Sequence, residues 1–296
     1  MAAESRFAIW LSATRPRTLP AAIAPVVVGT AFALQHGSVV WYAASACLAF
    51  ALLVQVGTNF ANDYGDFAKG ADNVERVGPR RAVAAGLIPA ATMKRAAGLV
   101  FAAAFLVGLT LLPYGGWPLL AIGITSIACG YAYTGGSWPI AYIGLGDAFV
   151  FVFFGLVAVG ATYFVQAGSP GMDVWLAAVA IGLLAANILI VNNYRDVQTD
   201  ARAGKRTSVV RFGRRFARWQ FASGHAVALL VPVIIAMRWD AFGWILLPLF
   251  LTPEAVRQAL QLKRSESPKG LIDLLGDVGR YLAAYSLLLS AGIVCT

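Results

Sequence analysis

The sequence predicts an all-α polytopic membrane protein, a bundle of nine transmembrane helices with two cytoplasmic loops capping one end. Two features of composition carry this prediction. The 296 residues are 59% hydrophobic and only 12% charged, whereas a soluble domain carries about a quarter charged residues. Charge-poor windows of about 20 residues, the length that crosses a hydrocarbon core, recur along the whole chain. The N-terminus lacks the pattern of a signal peptide, so we expect the first apolar run to be a retained helix.

Nine charge-poor windows define the predicted elements in chain order. They cover residues 18–35, 39–61, 96–113, 117–134, 147–166, 174–194, 216–237, 241–262 and 276–295. No long soluble stretch separates them, and backbone in lipid must form its hydrogen bonds internally. We therefore expect a single transmembrane domain over residues 1–296.

The distribution of basic residues predicts the orientation in the membrane. If the N-terminus is cytoplasmic, all of the 23 Lys and Arg residues except Arg238 fall on the cytoplasmic side, as the positive-inside rule requires. Four tryptophans begin even-numbered spans on the opposite side, where an aromatic belt would place them: Trp41, Trp117, Trp175 and Trp239. The prediction is an inner-membrane protein with an external C-terminus.

Composition also argues against several classes of function. The three cysteines, Cys47, Cys129 and Cys295, lie in apolar runs without metal-type spacing, and the chain has only two histidines. A disulfide framework or a zinc site is therefore not expected. The net charge of +9 comes from short loops between spans, which is the charge bias of a membrane protein rather than a nucleic-acid surface.

Two similar polar stretches follow helices of the same orientation. "NDYGD" at 62–66 and "NNYRD" at 192–196 align at an offset of 130 residues. This match suggests a weak internal repeat. Its halves would cover residues 18–134 and 147–262, with a ninth helix over 276–295.

Helical spacing places the polar residues of each stretch on one face. Asn62 and Asp66 are four residues apart, as are Asp196 and Asp200, and Asn193 precedes Asp196 by three. Carboxylates within a membrane are costly unless they are neutralised. Oxygen ligands without histidine or thiolate favour Mg²⁺, which commonly binds a few carboxylates together with substrate phosphates.

The neighbouring loops supply cations that could clamp a diphosphate. These are Arg76, Arg80, Arg81, Arg202, Lys205, Arg206 and Arg211. For several polar residues, the sequence does not decide between a role in the site and a purely structural role. Asp63 is either a ligand or a solvated residue at a helix end, and Asn59 and Asn192 are unassigned. We interpret Arg214, Arg215 and Arg218 as topogenic charges, and His225 as a packed core residue.

The two motifs resemble those of the UbiA superfamily of intramembrane aromatic prenyltransferases. Its first motif matches Asn62, Asp66 and Asp72, and its second matches Asn192, Asn193, Asp196 and Asp200. In that family these residues bind Mg²⁺ and the diphosphate of an isoprenoid donor. The resemblance extends from about residue 12 to beyond residue 290, with nine helices and two capping loops.

Within the superfamily, four stretches are similar to the 1,4-dihydroxy-2-naphthoate branch of menaquinone synthesis. They cover residues 13–31, 62–72, 131–136 and 192–213. The shorter aspartate spacing of the 4-hydroxybenzoate branch, the alternative acceptor, is absent. The resemblance implies transfer of a polyprenyl group from polyprenyl diphosphate to dihydroxynaphthoate in the lipid bilayer, with loss of the ring carboxylate. The products would be demethylmenaquinone, CO₂ and pyrophosphate.

The resemblance also implies a role for each candidate site residue. The catalytic set would be Asp66, Asp196, Asp200 and Lys205. Two Mg²⁺ ions would be held by Asn62, Asp66, Asp72, Asp196 and Asp200, where Asp72 binds the second metal or orders its loop. The diphosphate would contact Asn62, Asn193, Lys205, Arg206 and Arg81. The acceptor would contact Arg15, Tyr131, Tyr133 and Thr134.

A cation-coupled transporter is the remaining alternative of a different class, because intramembrane carboxylates near a repeat also occur in transporters. Transporter sites lie near the bilayer midplane on broken helices, whereas these motifs lie at helix ends beside basic loops. A phosphatidyl-group transferase would need a single dense motif of glycines and aspartates, which the sequence lacks. Release of pyrophosphate from a polyprenyl diphosphate distinguishes the prenyltransferase from both.

Overall fold

Helices supply nearly all the regular structure of the described residues, which are 5–71, 78–265 and 267–296 of a computed structural model. The α-helices are α1 (Arg6–Ala13), α2 (Pro20–Gln35), α3 (Trp41–Ala68), α4 (Ala90–Leu109), α5 (Leu112–Ala132), α6 (Gly146–Val150), α7 (Ala158–Ala167), α8 (Met172–Arg195), α9 (Val197–Arg202), α10 (Ser208–Trp239), α11 (Thr252–Arg264) and α12 (Pro268–Cys295). A π-helical segment, Phe151–Val157, joins α6 to α7, and 3-10 helices cover Pro16–Thr18, Ile140–Tyr142 and Trp244–Leu251. The all-α prediction is confirmed.

Within the described residues, seven helical segments are long and apolar enough to cross a membrane. They are α3, α4, α5, the continuous segment Gly146–Ala167, α8, α10 and α12. The bent pair Arg6–Thr18 and Pro20–Gln35, which turns by 53°, brings the number of candidate spans to eight. The prediction of a polytopic membrane protein is confirmed, but the count of nine transmembrane helices is not.

The predicted span over 241–262 accounts for the difference in the count. The chain there forms the 3-10 helix Trp244–Leu251, which contains Pro248, and then enters α11. α11 is amphipathic and carries charged residues such as Glu254 and Arg257 on one side. A continuous apolar α-helix was therefore the wrong prediction for this segment, because the proline and the charged face divide it into two parts.

The same segment nevertheless runs along the bundle beside α12. At one end, the Trp244 carbonyl packs so closely on Gly292 that a Cβ there would lie 2.6 Å from the oxygen. At the other end, Arg257 of α11 forms an ion pair with Asp277 near the start of α12, with a distance of 2.6 Å. The segment and α12 are therefore antiparallel neighbours.

Close packing against glycine brings the π-helical segment onto α8. A Cβ on Gly155 would lie 2.6 Å from the Ala178 carbonyl, and a Cβ on Gly182 would lie 2.6 Å from the Phe151 carbonyl. Small residues allow this approach of two backbones, which is the usual way that helices pack in membranes. The larger core cluster is built on α8 and includes residues of α2, α10 and α12.

Two helix ends determine where the motif residues lie. α3 continues past the predicted end at residue 61 to Ala68, so Asn62 and Asp66 lie on its last turns. α8 ends at Arg195 and is followed at once by α9, whose N-cap residue is Asp196. Both motifs reach the same end of the bundle, which we call the site end.

Candidate active site

A cavity of about 690 Å³ runs between the helices and ends at the two motifs. α3 contributes lining residues from Cys47 to Asp66, which corresponds to a length of about 28 Å at 1.5 Å per helical residue. Most of its wall is apolar, with aromatic side chains such as Phe50, Phe149 and Phe153. The polar lining residues include Arg15, Asn59, Asn62, Asp66, Arg81, Tyr133, Thr134, Asn192, Asn193 and Lys205.

The first motif is held by residues of the α5–α6 connection. Thr134 Oγ1 donates a hydrogen bond to Asn62 Oδ1 (2.8 Å), and Tyr142 OH donates one to Asp66 Oδ1 (3.1 Å). A Cβ on Gly65 would lie 2.8 Å from Thr134 Oγ1, so only glycine allows this approach of α3. These contacts fix the direction in which the amide and the carboxylate point.

Asp63 holds the loop that follows the first motif. Its carboxylate is buried and accepts hydrogen bonds from the backbone N–H groups of Ala82 (3.1 Å) and Val83 (3.3 Å). These two amides immediately follow Arg81, whose guanidinium lies 3.7 Å from Asp66 Oδ2. Of the alternatives left open by the sequence, a solvated helix-end residue is therefore excluded, and the Asp63 carboxylate holds the backbone next to Arg81.

We expect Asp63→Asn to lower turnover about tenfold and to destabilise the protein by about 1–3 kcal/mol, because one of the two buried N–H groups would lose its acceptor. Thermal unfolding and product formation at several donor concentrations would measure both effects. Arg81→Gln should reproduce the loss of turnover with a smaller loss of stability. Normal turnover of both variants would contradict a positioning role for Asp63.

The second motif contains a buried ion pair between neighbouring residues. Arg195 donates to both carboxylate oxygens of Asp196, from Nε (2.7 Å) and from a terminal nitrogen (2.6 Å). Arg195 also donates to Asn192 Oδ1. The pair lies at the break between α8 and α9. Arg195 thus neutralises the Asp196 carboxylate at the point where the chain turns.

Asn193 of the second motif faces a buried carboxylate that the sequence analysis did not select. Its Nδ2 lies 3.5 Å from Asp147 Oδ1 at the start of α6, and Asp147 Oδ2 accepts hydrogen bonds from Ser208 and Gln220. Asp147 thus joins α6, α8 and α10 behind the cavity wall. In the sequence, Asp147 was distinguished only as the one acidic residue at the edge of the predicted fifth span.

Lys205 joins the two motifs. Its ammonium lies 3.8 Å from Asp66 Oδ2 and 4.0 Å from Asp200 Oδ1. It also lies 5.5 Å from the centre of the Tyr142 ring. A cation between the two carboxylates offsets their mutual repulsion, so the halves of the predicted site do converge.

Arg15 reaches the cavity from a turn with unusual backbone geometry. Its φ of 54° and ψ of 67° place it in the left-handed region. Asn59, which the sequence left unassigned, holds this turn, because its Nδ2 donates to the Thr14 carbonyl (2.9 Å) and its own carbonyl accepts from Arg15. The turn directs the Arg15 side chain toward the polar end of the cavity.

Two predicted site residues lie elsewhere. Tyr131 is 47% exposed and is not among the cavity-lining residues, and Arg206 is exposed and contacts Tyr142 through its backbone N–H. Asp72 lies outside the described residues. Tyr133, by contrast, lines the cavity, and burial raises the pKa of its phenol so that it remains a hydrogen-bond donor at neutral pH.

The oxygen atoms available at the site end are the kind of ligand that a hard divalent cation prefers. Among the described residues, no group of three or more His, Cys, Asp or Glu side chains is close enough to hold a metal ion by itself. Carboxylate and amide oxygens are nevertheless available from the buried Asn62 and Asp66 and from the partly buried Asp200. Incomplete coordination by protein suits Mg²⁺, which takes its remaining ligands from phosphates and water.

A model of the UbiA prenyltransferase family matches residues 22–272. The chain belongs to the UbiA prenyltransferase family. Among similar proteins of known function, a 1,4-dihydroxy-2-naphthoate octaprenyltransferase from Mycobacterium tuberculosis is 39% identical over 287 residues, which cover 97% of each chain. One from Escherichia coli is 36% identical over 301 residues, covering 98% of this prenyltransferase and 96% of the relative.

Solved structures of the UbiA family share the fold of this prenyltransferase. A UbiA homolog from Archaeoglobus fulgidus bound to DMAPP and Mg²⁺ superposes with a TM-score of 0.64 at 17% identity, covering 95% of this chain and 99% of that one. The apo structure of a UbiA homolog from Aeropyrum pernix gives 0.63 at 17% identity, covering 93% and 97%. At this level of identity the likeness establishes the fold alone.

Proposed function

We propose that this prenyltransferase transfers a polyprenyl group from polyprenyl diphosphate to 1,4-dihydroxy-2-naphthoate in menaquinone biosynthesis. The observation that carries the proposal is the meeting of two Asn/Asp motifs at Lys205, at the polar end of a long apolar cavity. The acceptor follows from near full-length relatives with that activity. The cavity holds the apolar chain of the donor and keeps water away from its reactive carbon.

The diphosphate binds where Lys205 and Arg81 contact Asp66. When it arrives, the two cations exchange part of their contact with the carboxylate for charge-assisted hydrogen bonds to phosphate oxygens. Asn193, which also lines the cavity, adds a neutral donor. Two Mg²⁺ ions are the proposed number, and the residues that would hold them are Asp66, Asp200, Asp196, Asn62 and Asp72. Bound there, the metal would neutralise the charge that develops on the leaving diphosphate.

In the reaction, the bond between donor C1 and the diphosphate oxygen breaks, and the electron pair stays with the diphosphate. The ring carbon that carries the carboxylate attacks C1. Loss of CO₂ returns its bonding electrons to the ring, so demethylmenaquinone forms in its hydroquinone state and no ring proton has to be removed. Lys205 and Arg81 stabilise the leaving group because they already lie at the carboxylates that face it.

The acceptor binds beside Arg15 and Tyr133. The Arg15 guanidinium pairs with the ring carboxylate, and the Tyr133 phenol, which stays protonated, donates to an acceptor oxygen. Thr134 supports this site indirectly, because its hydroxyl donates to Asn62. Tyr131 lies on the outer surface, and we withdraw it from the acceptor contacts.

A substrate panel tests the acceptor. Purified protein in detergent receives one polyprenyl diphosphate with dihydroxynaphthoate, 4-hydroxybenzoate or homogentisate, and the products are identified by mass. We expect a decarboxylated, prenylated naphthohydroquinone and at most trace amounts of the other two products. Reaction with hydroxybenzoate but not with dihydroxynaphthoate would move the protein to the other branch of the family.

We expect removal of divalent metal with excess EDTA to abolish pyrophosphate release, and added Mg²⁺ to restore it, because the buried carboxylates cannot bind a diphosphate without a cation between them. Pyrophosphate release is measured before and after re-addition of Mg²⁺. A melting temperature recorded in parallel serves as the control for unfolding. Full turnover in EDTA would contradict the metal-dependent mechanism.

The proposed location is the cytoplasmic membrane, with the N-terminus and the site end cytoplasmic and the C-terminus external. Two observations support it: the segregation of Lys and Arg residues along the sequence, and the antiparallel course of Trp244–Arg264 beside α12. Counted together with the eight candidate spans, this segment would make the number of passages through the bundle odd, so that the two ends of the chain lie on opposite sides of the membrane. The division of residues 1–296 into two repeated halves also remains a proposal.

A further inference from the structure

The start of α10 carries an exposed surface that the active site does not use. We call residues 211–219 the basic–aromatic segment. It contains four arginines, Arg211, Arg214, Arg215 and Arg218, and three aromatic residues, Phe212, Phe216 and Trp219. Arg211, Arg214 and Arg215 are exposed, and Arg218 is partly buried. The sequence alone attributed Arg214, Arg215 and Arg218 to membrane topology and placed Arg211 among the cations that could clamp a diphosphate.

The aromatic side chains of the segment form one continuous stripe. Ring centres of Phe212 and Phe216 are 5.0 Å apart, and those of Phe216 and Trp219 are 6.2 Å apart. Phe212 is 62% exposed and Trp219 is 67% exposed. Large aromatic residues exposed beside charges are typical of the membrane–water interface, where the ring lies at the level of the headgroups.

The arginines lie next to this stripe without neutralising partners. Among the described residues, no carboxylate oxygen lies within 4.0 Å of their guanidinium nitrogens. Arg214 stacks on the Tyr194 ring at 4.9 Å, which fixes its position without removing its charge. Arg257 of α11 and Arg280 of α12 differ, because both are paired with Asp277. The segment therefore keeps its positive charge.

The segment lies at the site end, since Ser208 at the start of α10 donates to Asp147 beside the second motif. If that end is cytoplasmic, the segment faces the leaflet that carries anionic lipid. A guanidinium donates two parallel hydrogen bonds to a phosphate, while the adjacent rings contact the upper acyl carbons. A basic segment that contacted only water would not need exposed aromatic side chains, so the stripe favours contact with lipid.

We propose that the basic–aromatic segment binds the headgroups of anionic phospholipids such as phosphatidylglycerol. Its arginines contact the phosphate groups and its three rings lie in the interface. The interaction is distinct from substrate binding, because none of the segment's residues lines the cavity. It anchors the start of α10 and, through Ser208 and Asp147, the wall that contains Asn193.

Lipid titration by native mass spectrometry tests the proposal. Protein in neutral detergent is titrated with phosphatidylglycerol or phosphatidylcholine carrying identical acyl chains. We expect a clear preference for phosphatidylglycerol in the wild type. The variant R211Q/R215Q/R218Q should bind that lipid at least about tenfold more weakly, with phosphatidylcholine binding unchanged. Arg214 is left in place because it packs on Tyr194.

The matched control is K263Q/R264Q/K269Q, which removes three exposed charges at the same end of the bundle that have no ion-pair partner in the described part of the chain and no neighbouring aromatic stripe. It should keep the wild-type preference. If the control lost as much phosphatidylglycerol binding as the test variant, net charge alone would explain the effect and the proposal would be overturned. Equal binding of both lipids by the wild type would also overturn it. A raised KM for the donor in the glutamine variant at every lipid composition would instead assign the arginines to substrate steering.

A second measurement does not depend on how the variants fold. Wild-type protein is irradiated with phosphatidylglycerol that carries a photoreactive group near the headgroup, and the cross-linked peptides are sequenced. Cross-links should concentrate in residues 211–219. Cross-links that favour residues 263–269, or that are the same with phosphatidylcholine, would contradict the proposal. Neither readout requires catalytic activity, so failure here leaves the proposed reaction untouched.

Discussion

Asp66→Asn should lower the turnover of polyprenyl diphosphate about 1000-fold at saturating Mg²⁺, the upper part of the range for removal of a single electrostatic group. Asparagine keeps the shape of the side chain but cannot neutralise Arg81 and Lys205, which lie 3.7 and 3.8 Å from Asp66 Oδ2. It also replaces the charged acceptor for the Tyr142 hydroxyl. Product formation with dihydroxynaphthoate is measured by mass, and folding is checked by thermal unfolding.

Asp240→Asn provides the matched control for this experiment. Asp240 is exposed at the opposite end of α10 in a left-handed conformation that asparagine also adopts readily. Its substitution should leave turnover and melting temperature unchanged. If Asp66→Asn keeps turnover within about threefold of the control, the carboxylate contributes little, and the convergence at Lys205 has no catalytic meaning.

Asp196→Ala should destabilise the protein by about 3–5 kcal/mol as well as inactivate it, because it leaves an unpaired cation in the interior. The Arg195 side chain is 0% exposed, and both Asp196 oxygens neutralise it. A simple loss of activity in this variant would therefore not identify a metal ligand. Thermal unfolding and turnover have to be measured on the same preparation.

The double variant R195M/D196N separates the two roles of Asp196. Removing both charges together restores a neutral interior, so we expect most of the lost stability to return. Turnover should stay at least about 100-fold below the wild type if the carboxylate also serves the metal. Recovery of turnover along with stability would show that Asp196 acts only by neutralising Arg195.

The sequence predicted the membrane bundle and the two motifs because both depend on local patterns. Runs without charge identify spans, and the spacing of Asn62 and Asp66 places both on one helical face. The role of Asp63 could not be predicted, because it depends on backbone amides about 20 residues further along the chain. An acidic residue next to a motif looks like a ligand until the position of the following loop is known.

Tertiary contacts also explain the other differences from prediction. Tyr142 gave no signal, since tyrosine at a membrane boundary is common, and its role comes from its distance to Asp66. Tyr131 and Tyr133 belong to the same family-like stretch, but residues two apart on a helix point in different directions. Tyr133 therefore lines the cavity while Tyr131 faces outward. The window 241–262 is apolar on average, which predicted one span. The average conceals Pro248 and the charged face of α11, which divide the segment into two parts.

The left-handed backbone of Arg15 affects how this part of the protein should be engineered. A non-glycine residue in that conformation stores about 1 kcal/mol or more of strain. Glycine at position 15 would release that strain, but it would also delete the guanidinium that donates to the Asn59 carbonyl and would add conformational entropy to the unfolded chain. Because these effects oppose each other, the melting temperature of an Arg15→Gly variant should change little while acceptor affinity falls, so a screen for heat resistance would not detect the loss and product formation has to be scored directly.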